Sequence, residues 1–334
     1  MKHSVDVETK RRAISVDVGG TFTKVALVDT AGKVVRRWQE PSERQIASSD
    51  VPQFVVGIVQ RVLRDSGLSK EEVVGVCVGI PGVIDRRTQT IISCPNLTNW
   101  EGMALGELVE ETLGLPTYLE KDANEAALGE RWLGAGRGVD DLICFTLGTG
   151  IGTGIILNGA LYRGSTGGAG EIGHIIVDKD GPACACGNPG CLESYASARA
   201  IVGYARDAVQ QGRATVLAEM AGGDADAITT ETVFTAAKAG DPVAMRIAAD
   251  AIEYLGVGVA SIVNVFNPAM IILGGGMAQA GEQILVPVRQ IVRKRARRLL
   301  AEHAEIVPAQ LGNDAGVIGG AYLVFRGEGV ALEE

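Results

Sequence analysis

Cys184, Cys186 and Cys191 fall within eight positions of the stretch "GPACACGNPGCLESYAS" (181–197), with His174 ten residues before the first and Glu193 two residues after the last. Three thiolates and one imidazole make a closed tetrahedral Zn2+ set. The C-x-C-x4-C spacing is not a common zinc-finger form, and a redox C-x-x-C is absent. On the residues alone, a metal site and a loop that merely contains cysteine stand equally open. Cys77 in "VVGVCVGI" and Cys144 in "LICFTLG" sit inside apolar runs and read as small buried hydrophobes. Cys94 in the loop "SCPN" fits the same reading.

Two glycine turns raise a second chemistry. "DVGGT" (17–21) and "LGTGIGTG" (147–154) would let a phosphate approach backbone N–H groups without obstruction by a Cβ. Neither is a Walker A loop, since G-x-x-x-x-G-K-[ST] does not occur. The residues after each turn alternate as a strand does, whereas a dinucleotide fingerprint requires a helix there. Each turn alone reads as a plain hairpin. Two of them, with "LGGG" (273–276) at a third strand end, point to phosphate. "YLEKDANEAALGE" places Asp122 where a strand meets a helix, either as an N-cap or as a carboxylate aimed into a cleft.

Regular elements must hold these residues in place. The alternation of Ile14, Val16 and Val18, then of Val25 and Leu27, predicts a strand–turn–strand unit, which "KVVRRW" extends as a third antiparallel strand. Apolar residues at helical spacing predict a helix over 51–66. "EVVGVCVGIPG" reads as a buried strand, "MALGELVEETLG" as a helix, "PTYLEKD" as a strand and "ANEAALGERWLG" as a helix. The plan then repeats. "DDLICFTLGTGIGTGIILNGALYRG" is a second strand–turn–strand, followed by a mostly helical stretch over about 194–267. The strand "AMIILGGG", a helix over about 281–300, the strand "AEIVPAQ" and the helix "DAGVIGGAYLVF" complete it. The repetition predicts an internally duplicated α/β protein. A smaller lobe is expected over 1–122, with the helix 314–334 returning to it, and a larger lobe over 123–313 carrying the cysteine loop and nucleotide motifs.

Composition bounds the partners. Of 334 residues, 46% are hydrophobic and 21% charged, and the net charge is −9. A basic footprint for nucleic acid is missing overall. The one basic run, "RQIVRKRARRLL" (289–300), reads as a solvated helix face. No apolar run reaches the roughly 18 residues of a membrane span, and "MKHSVDVETKRR" lacks the apolar stretch of a signal peptide. The expectation is a cytoplasmic protein without membrane or nucleic-acid partners, and in that compartment a disulfide framework is not expected.

Taken together, "DVGGT", "LGTGIGTG" and "ILGGGM" resemble the phosphate-1, phosphate-2 and adenosine motifs of the actin-like ATPase superfamily. "GTGIGTGIILNGALYRGSTGGAGEIGH" with "CACGNPGCLE" resembles the ROK family of repressors, uncharacterised frames and kinases. The resemblance implies a two-lobed actin-like ATPase (ribonuclease H-like) fold with a duplicated β-meander-plus-helices core and a zinc loop. It implies ATP and Mg2+, with Asp17 orienting the Mg2+ shell. Gly19, Gly20, Thr21 and Lys24 at one turn, and Gly148, Thr149 and Gly150 at the other, would embrace the ATP phosphates. Gly274, Gly275 and Gly276 would complete the nucleotide site. Asp122 matches the family's general base, a carboxylate that accepts the hydroxyl proton as the sugar attacks the γ-phosphate.

Asn96, Lys121, Glu171, His174 and Glu193 match the sugar-contact positions, although the family usually has Asn where this chain has Lys121. The family motif C-x-C-G-x-x-G-C-x-E reads here C-A-C-G-N-P-G-C-L-E, and implies structural Zn2+ on His174, Cys184, Cys186 and Cys191. The metal would orient His174, whose other ring nitrogen could reach a sugar hydroxyl. The implied activity is hexose phosphorylation, with glucose first and N-acetylmannosamine, N-acetylglucosamine or fructose as alternatives. Polyphosphate could replace ATP. Family members form homodimers or homotetramers. The repressor branch carries a helix-turn-helix ahead of the first phosphate motif, and the sixteen residues before Asp17 are too few for one.

Overall fold

The computed structural model describes residues 11–19, 22–42, 51–94 and 98–332. They divide into two units: the described residues of 1–133, 163–169 and 314–334, and those of 134–162 and 170–313.

The first unit is built on a five-stranded sheet. Its strands are β1 (Arg12–Val18), β2 (Phe22–Asp29), β3 (Val34–Pro41), β4 (Val73–Ile80) and, after the small hairpin β5 (Val83–Asp85) and β6 (Thr90–Ser93), β7 (Thr117–Lys121). The order is β3-β2-β1-β4-β7, with the three N-terminal strands antiparallel and β1, β4 and β7 parallel. Side chains alternate between the two faces, as the pleat requires. Ile14, Val16, Val18, Val76, Val78 and Ile80 join one core, which includes Val55, Val59, Leu105 and Val109 of the helices Val51–Ser66 and Leu105–Leu113. The opposite face is lined by small residues: Ala13, Ser15, Gly75, Cys77 and Gly79.

That small-residue face lets two helices come close. Helix Ala315–Gly327 packs against β1, β4 and helix Asp122–Leu133. Gly319 and Gly129 meet at backbone distance, so a Cβ at Gly319 would collide with the Glu125 carbonyl. This packing explains why the first unit runs through Leu133, past the boundary near 122 expected from the sequence. Glu125 is buried in the layer, where the Cys77 thiol donates to its Oε1 at 3.0 Å. Cys77 is therefore a polar partner as well as a buried small residue.

The second unit repeats the plan. Its strands are β8 (Leu142–Leu147), β9 (Ile151–Leu157), β10 (Ala160–Leu161), β11 (Met270–Gly274) and β12 (Glu305–Pro308), in the order β10-β9-β8-β11-β12. Again the first three are antiparallel neighbours and β8, β11 and β12 are parallel. The duplicated core expected from the sequence is thus present. Helices Ala198–Gln210, Thr230–Lys238, Pro242–Phe266 and Glu282–Arg295 supply its apolar core with Ile201, Val233, Leu255, Val259 and Val288.

Two local expectations need correction, and one element has no counterpart among them. The hairpin β5–β6 was not anticipated, because its strands are short; its local signal is the Asp85 carboxylate, which accepts the Arg87 N–H at 2.9 Å. The single helix over 281–300 is two, Glu282–Arg295 and Arg298–His303. Ala296 between them is extended and buried, and the Arg297 N–H goes to Asn264 Oδ1 at 2.8 Å instead of continuing the helix. The 25-residue helix Pro242–Phe266 does reach membrane-spanning length and apolarity by composition. Its buried residues, among them Ala244, Ala248, Ala251, Leu255, Val259 and Val263, recur at helical spacing inside the core of the second unit.

Candidate active site and metal cluster

His174, Cys184, Cys186 and Cys191 converge, with one ligand atom from each lying within 4.8 Å of all the others. His174 closes the short 3-10 helix Ile172–His174, and Cys191 is tied to Ile176 by an isolated antiparallel bridge. The edges of the cluster fit zinc. His174 Nδ1 lies 3.6 Å from Cys184 Sγ, and the Cys186 and Cys191 sulfurs are 3.5 Å apart. Tetrahedral bonds of about 2.3 Å to sulfur and about 2.0 Å to nitrogen give edges of roughly 3.5–3.8 Å. Burial pushes the Cys191 thiol up to about 12, while the Asn188 backbone N–H lowers that of Cys186. The second nitrogen of His174, Nε2, points to Glu171 Oε2 at 3.9 Å. Glu171 and His174 both keep a partly exposed side chain.

Glu193 opens the short helix Glu193–Ala196 and faces the second glycine turn. Its Oε2 accepts the Ile151 N–H at 2.8 Å. A Cβ on Gly150 would lie 2.5 Å from the same oxygen, so a larger residue there would push the Glu193 carboxylate off its place. Inside the turn the Gly148 N–H reaches the Gly150 carbonyl at 3.0 Å, and the Gly148 carbonyl accepts the Ala198 N–H at 2.9 Å. Among the described residues nothing accepts the N–H groups of Thr149 and Gly150. The third glycine run lies beside this turn, because β8 and β11 are parallel neighbours ending at Leu147 and Gly274. Gly275 has φ +86°, and a Cβ there would lie 2.5 Å from the Leu147 carbonyl oxygen.

In the first unit, Asp17 pairs across the ladder with Lys24, whose Nζ is 3.9 Å from Oδ2. Burial raises the Asp17 carboxyl and the Lys24 charge lowers it, with burial the larger effect. Gly19 turns the chain by donating to the Phe22 carbonyl at 3.1 Å. Asp122 is the first residue of helix Asp122–Leu133, and its Oδ1 accepts the Ala123 N–H at 2.7 Å. Lys121 ends β7 and is buried. Asn96, Gly20 and Thr21 lie outside the described residues.

A model of the ROK family matches residues 13–326. The chain belongs to the ROK family. Among characterised ROK-type relatives, it is 40% identical over 319 residues to a glucokinase of Halalkalibacterium halodurans, covering 94% of this chain and 95% of that one. A crystal structure of a ROK family glucokinase from Streptomyces griseus in complex with glucose and AMPPNP matches with TM-score 0.78 and 37% identity, over 93% of this chain and 98% of that one. The chain is also 31% identical to a xylose repressor of Caldicellulosiruptor bescii, covering 92% of this chain and 76% of the repressor.

Three of the six basic side chains in the run 289–300 of this ROK chain have partners within the chain, and Arg298 stays 90% exposed. Arg289 Nε donates to the Ile306 carbonyl at 2.8 Å, Arg295 pairs with Glu253, and Arg298 Nε meets Glu302 at 2.7 Å. Sequence reasoning missed the surroundings of Asp122. Two residues earlier, buried Glu120 accepts from Arg163 and from Asn124 Nδ2, the latter at 2.8 Å. A signal was present: Glu120 is a carboxylate within a strand expected to be buried, and such a group requires a partner.

Proposed function

We propose that this ROK chain is an ATP-dependent sugar kinase that phosphorylates glucose to glucose 6-phosphate. The observation that carries the reading is the pair of glycine turns at neighbouring strand ends of the second unit. There Thr149 and Gly150 offer two uncommitted N–H groups beside the close-packed Gly275. A pair of backbone donors at a glycine turn suits phosphate. Similarity to the glucokinases over nearly the full chain supports the substrate class.

In this reading Asp122 takes the proton from the attacking sugar hydroxyl, and its carboxylate is held at the start of a helix by the Ala123 N–H. Asn96, Lys121, Glu171, His174 and Glu193 supply the donors and acceptors that a polyol requires. Gly19, Gly20, Thr21 and Lys24, with Gly148, Thr149 and Gly150, serve the ATP phosphates, and Gly274, Gly275 and Gly276 the nucleoside. Asp17 would hold the water shell of Mg2+, whose charge, when bound, offsets that of the phosphates. Zn2+ on His174, Cys184, Cys186 and Cys191 would be structural. Its charge would keep Nδ1 of His174 inside the cluster and leave Nε2 for substrate. The protein acts in the cytoplasm as a homodimer or homotetramer.

A coupled ATP assay over a panel of hexoses and N-acetylhexosamines tests this directly, with glucose expected to give the highest kcat/KM. Preference for N-acetylmannosamine, N-acetylglucosamine or fructose would move the substrate while keeping the chemistry. Polyphosphate belongs in the same assay as an alternative donor. The likeness to a xylose repressor supports a second reading, a sugar-sensing regulator. No turnover on any sugar, with robust gel-shift binding to DNA at moderate salt, would favour it.

A further inference from the structure

The geometry points to Glu193 as a positioning residue that transmits the state of the Cys/His cluster to the glycine turn 148–151, and we infer that metal loading thereby tunes the phosphate-facing N–H groups. The inference rests on the kinase reading for what the turn binds, but not for the coupling itself.

The path is short and each step is constrained. Cys191 contributes a sulfur to the cluster and is fully buried. Leu192 is also fully buried; its N–H goes to the Ile175 carbonyl at 2.9 Å, and its side chain sits where Gly258 leaves room, with a Cβ there only 2.6 Å away. Glu193 follows with its carboxylate on the Ile151 N–H. Five residues on, Ala198 holds the Gly148 carbonyl. The turn is therefore gripped at both ends by one segment, whose other end is a metal ligand.

The grip decides which donors the turn offers. Ile151 spends its N–H on Glu193 and Gly148 spends its own on Gly150, which leaves Thr149 and Gly150. A carboxylate acceptor makes the Ile151 bond charge-assisted, stronger than a neutral one. Loss of the metal leaves Cys191 held by backbone contacts, among them its bridge to Ile176 and the Leu192 N–H bond to Ile175, and loosens the origin of Glu193. Glu193 Oε1 has no acceptor or donor partner among the described residues, so the same carboxylate keeps one oxygen for a second ligand.

The test is amide hydrogen exchange across 148–151, without nucleotide or sugar, on zinc-loaded and chelator-stripped protein. In the unsubstituted chain, stripping should speed exchange at Ile151 by at least about tenfold, the scale of one charge-assisted hydrogen bond. Glu193→Ala should reach the same rate with zinc bound, and stripping should then add little. Glu193→Gln, whose amide oxygen still accepts, should keep most of the protection. Gly150→Ala approaches from the other side: it should speed exchange while leaving zinc affinity unchanged, and it serves if Glu193→Ala fails to fold. Unchanged exchange in zinc-loaded Glu193→Ala, or strictly additive effects of substitution and stripping, would overturn the coupling. AMPPNP titration of the same proteins reads the consequence, a roughly tenfold weaker Kd where exchange is fast. If the zinc-loaded, unsubstituted protein binds no AMPPNP, the kinase reading fails, while the exchange result still decides the coupling.

Discussion

Arg163 is bound to Glu120, 43 residues away in sequence: Nε and Nη2 stand 2.8 and 2.7 Å from the same carboxylate oxygen, Oε2. The other oxygen, Oε1, takes the Asn124 amide and the Lys121 N–H. This buried carboxylate organises the end of β7 and the first turn of the helix that starts at Asp122. It also holds residues 163–169 in the first unit, where the Ala169 N–H closes a loop on the Arg163 carbonyl at 3.0 Å. Arg163→Ala is therefore expected to destabilise the chain by about 3 kcal/mol, the lower end for breaking a buried pair, since the Arg163 side chain keeps 19% exposure. Urea denaturation measures it. Adding Glu120→Gln to Arg163→Ala should recover part of the loss, because no uncompensated charge then stays buried. An unchanged midpoint in the single variant would contradict the assignment.

Asp122→Asn keeps the shape and the helix start but cannot take a proton. Turnover should fall at least about 10²-fold, the scale of general-base catalysis, with sugar affinity changing far less. Steady-state kinetics with a melting curve checks both, and near-normal kcat in a folded variant would remove Asp122 from the mechanism.

Chelation should lower thermal stability and sugar affinity together, because the same loop that carries the cluster carries Glu193 and positions His174. Stability linked to a bound ion at a thousandfold its Kd is about 4 kcal/mol. Differential scanning fluorimetry and sugar titration before and after zinc removal give the comparison. Normal phosphorylation by metal-free protein would end the bracing role.

Glu125 sets a pH dependence with a defined sign. Burial raises its carboxyl well above the usual range, and the charge of Asp17 raises it further. The folded chain thus keeps a proton that the unfolded chain releases at about pH 4.3. This contribution is complete below that pH and is lost as pH rises through the folded value. Glu125→Gln removes the titration, so relative to the unsubstituted chain its stability should improve between about pH 5 and pH 8. A gap that stays flat across that range would show that Glu125 is not the group responsible.

What the sequence determined by itself is what short-range chemistry encodes. Alternation in β1, β2 and β4 follows from a two-residue pleat, and the glycine turns follow from the need for close backbone approach. The Cys184, Cys186, Cys191 and His174 set is visible as candidate ligands within eighteen positions, and the family motif points them to Zn2+. Strand order repeated because the whole pattern repeated. Tertiary structure decided the rest, because the partners lie far apart in the chain. Nothing near Ala296 announces a helix end; Asn264, 33 residues before Arg297, takes the Arg297 N–H. No local pattern pairs Arg163 with Glu120, or sets Glu193 on Ile151, 42 residues earlier. Each such contact forms only after the sheet and helices have fixed the backbone, when a buried polar group must find a partner or cost stability.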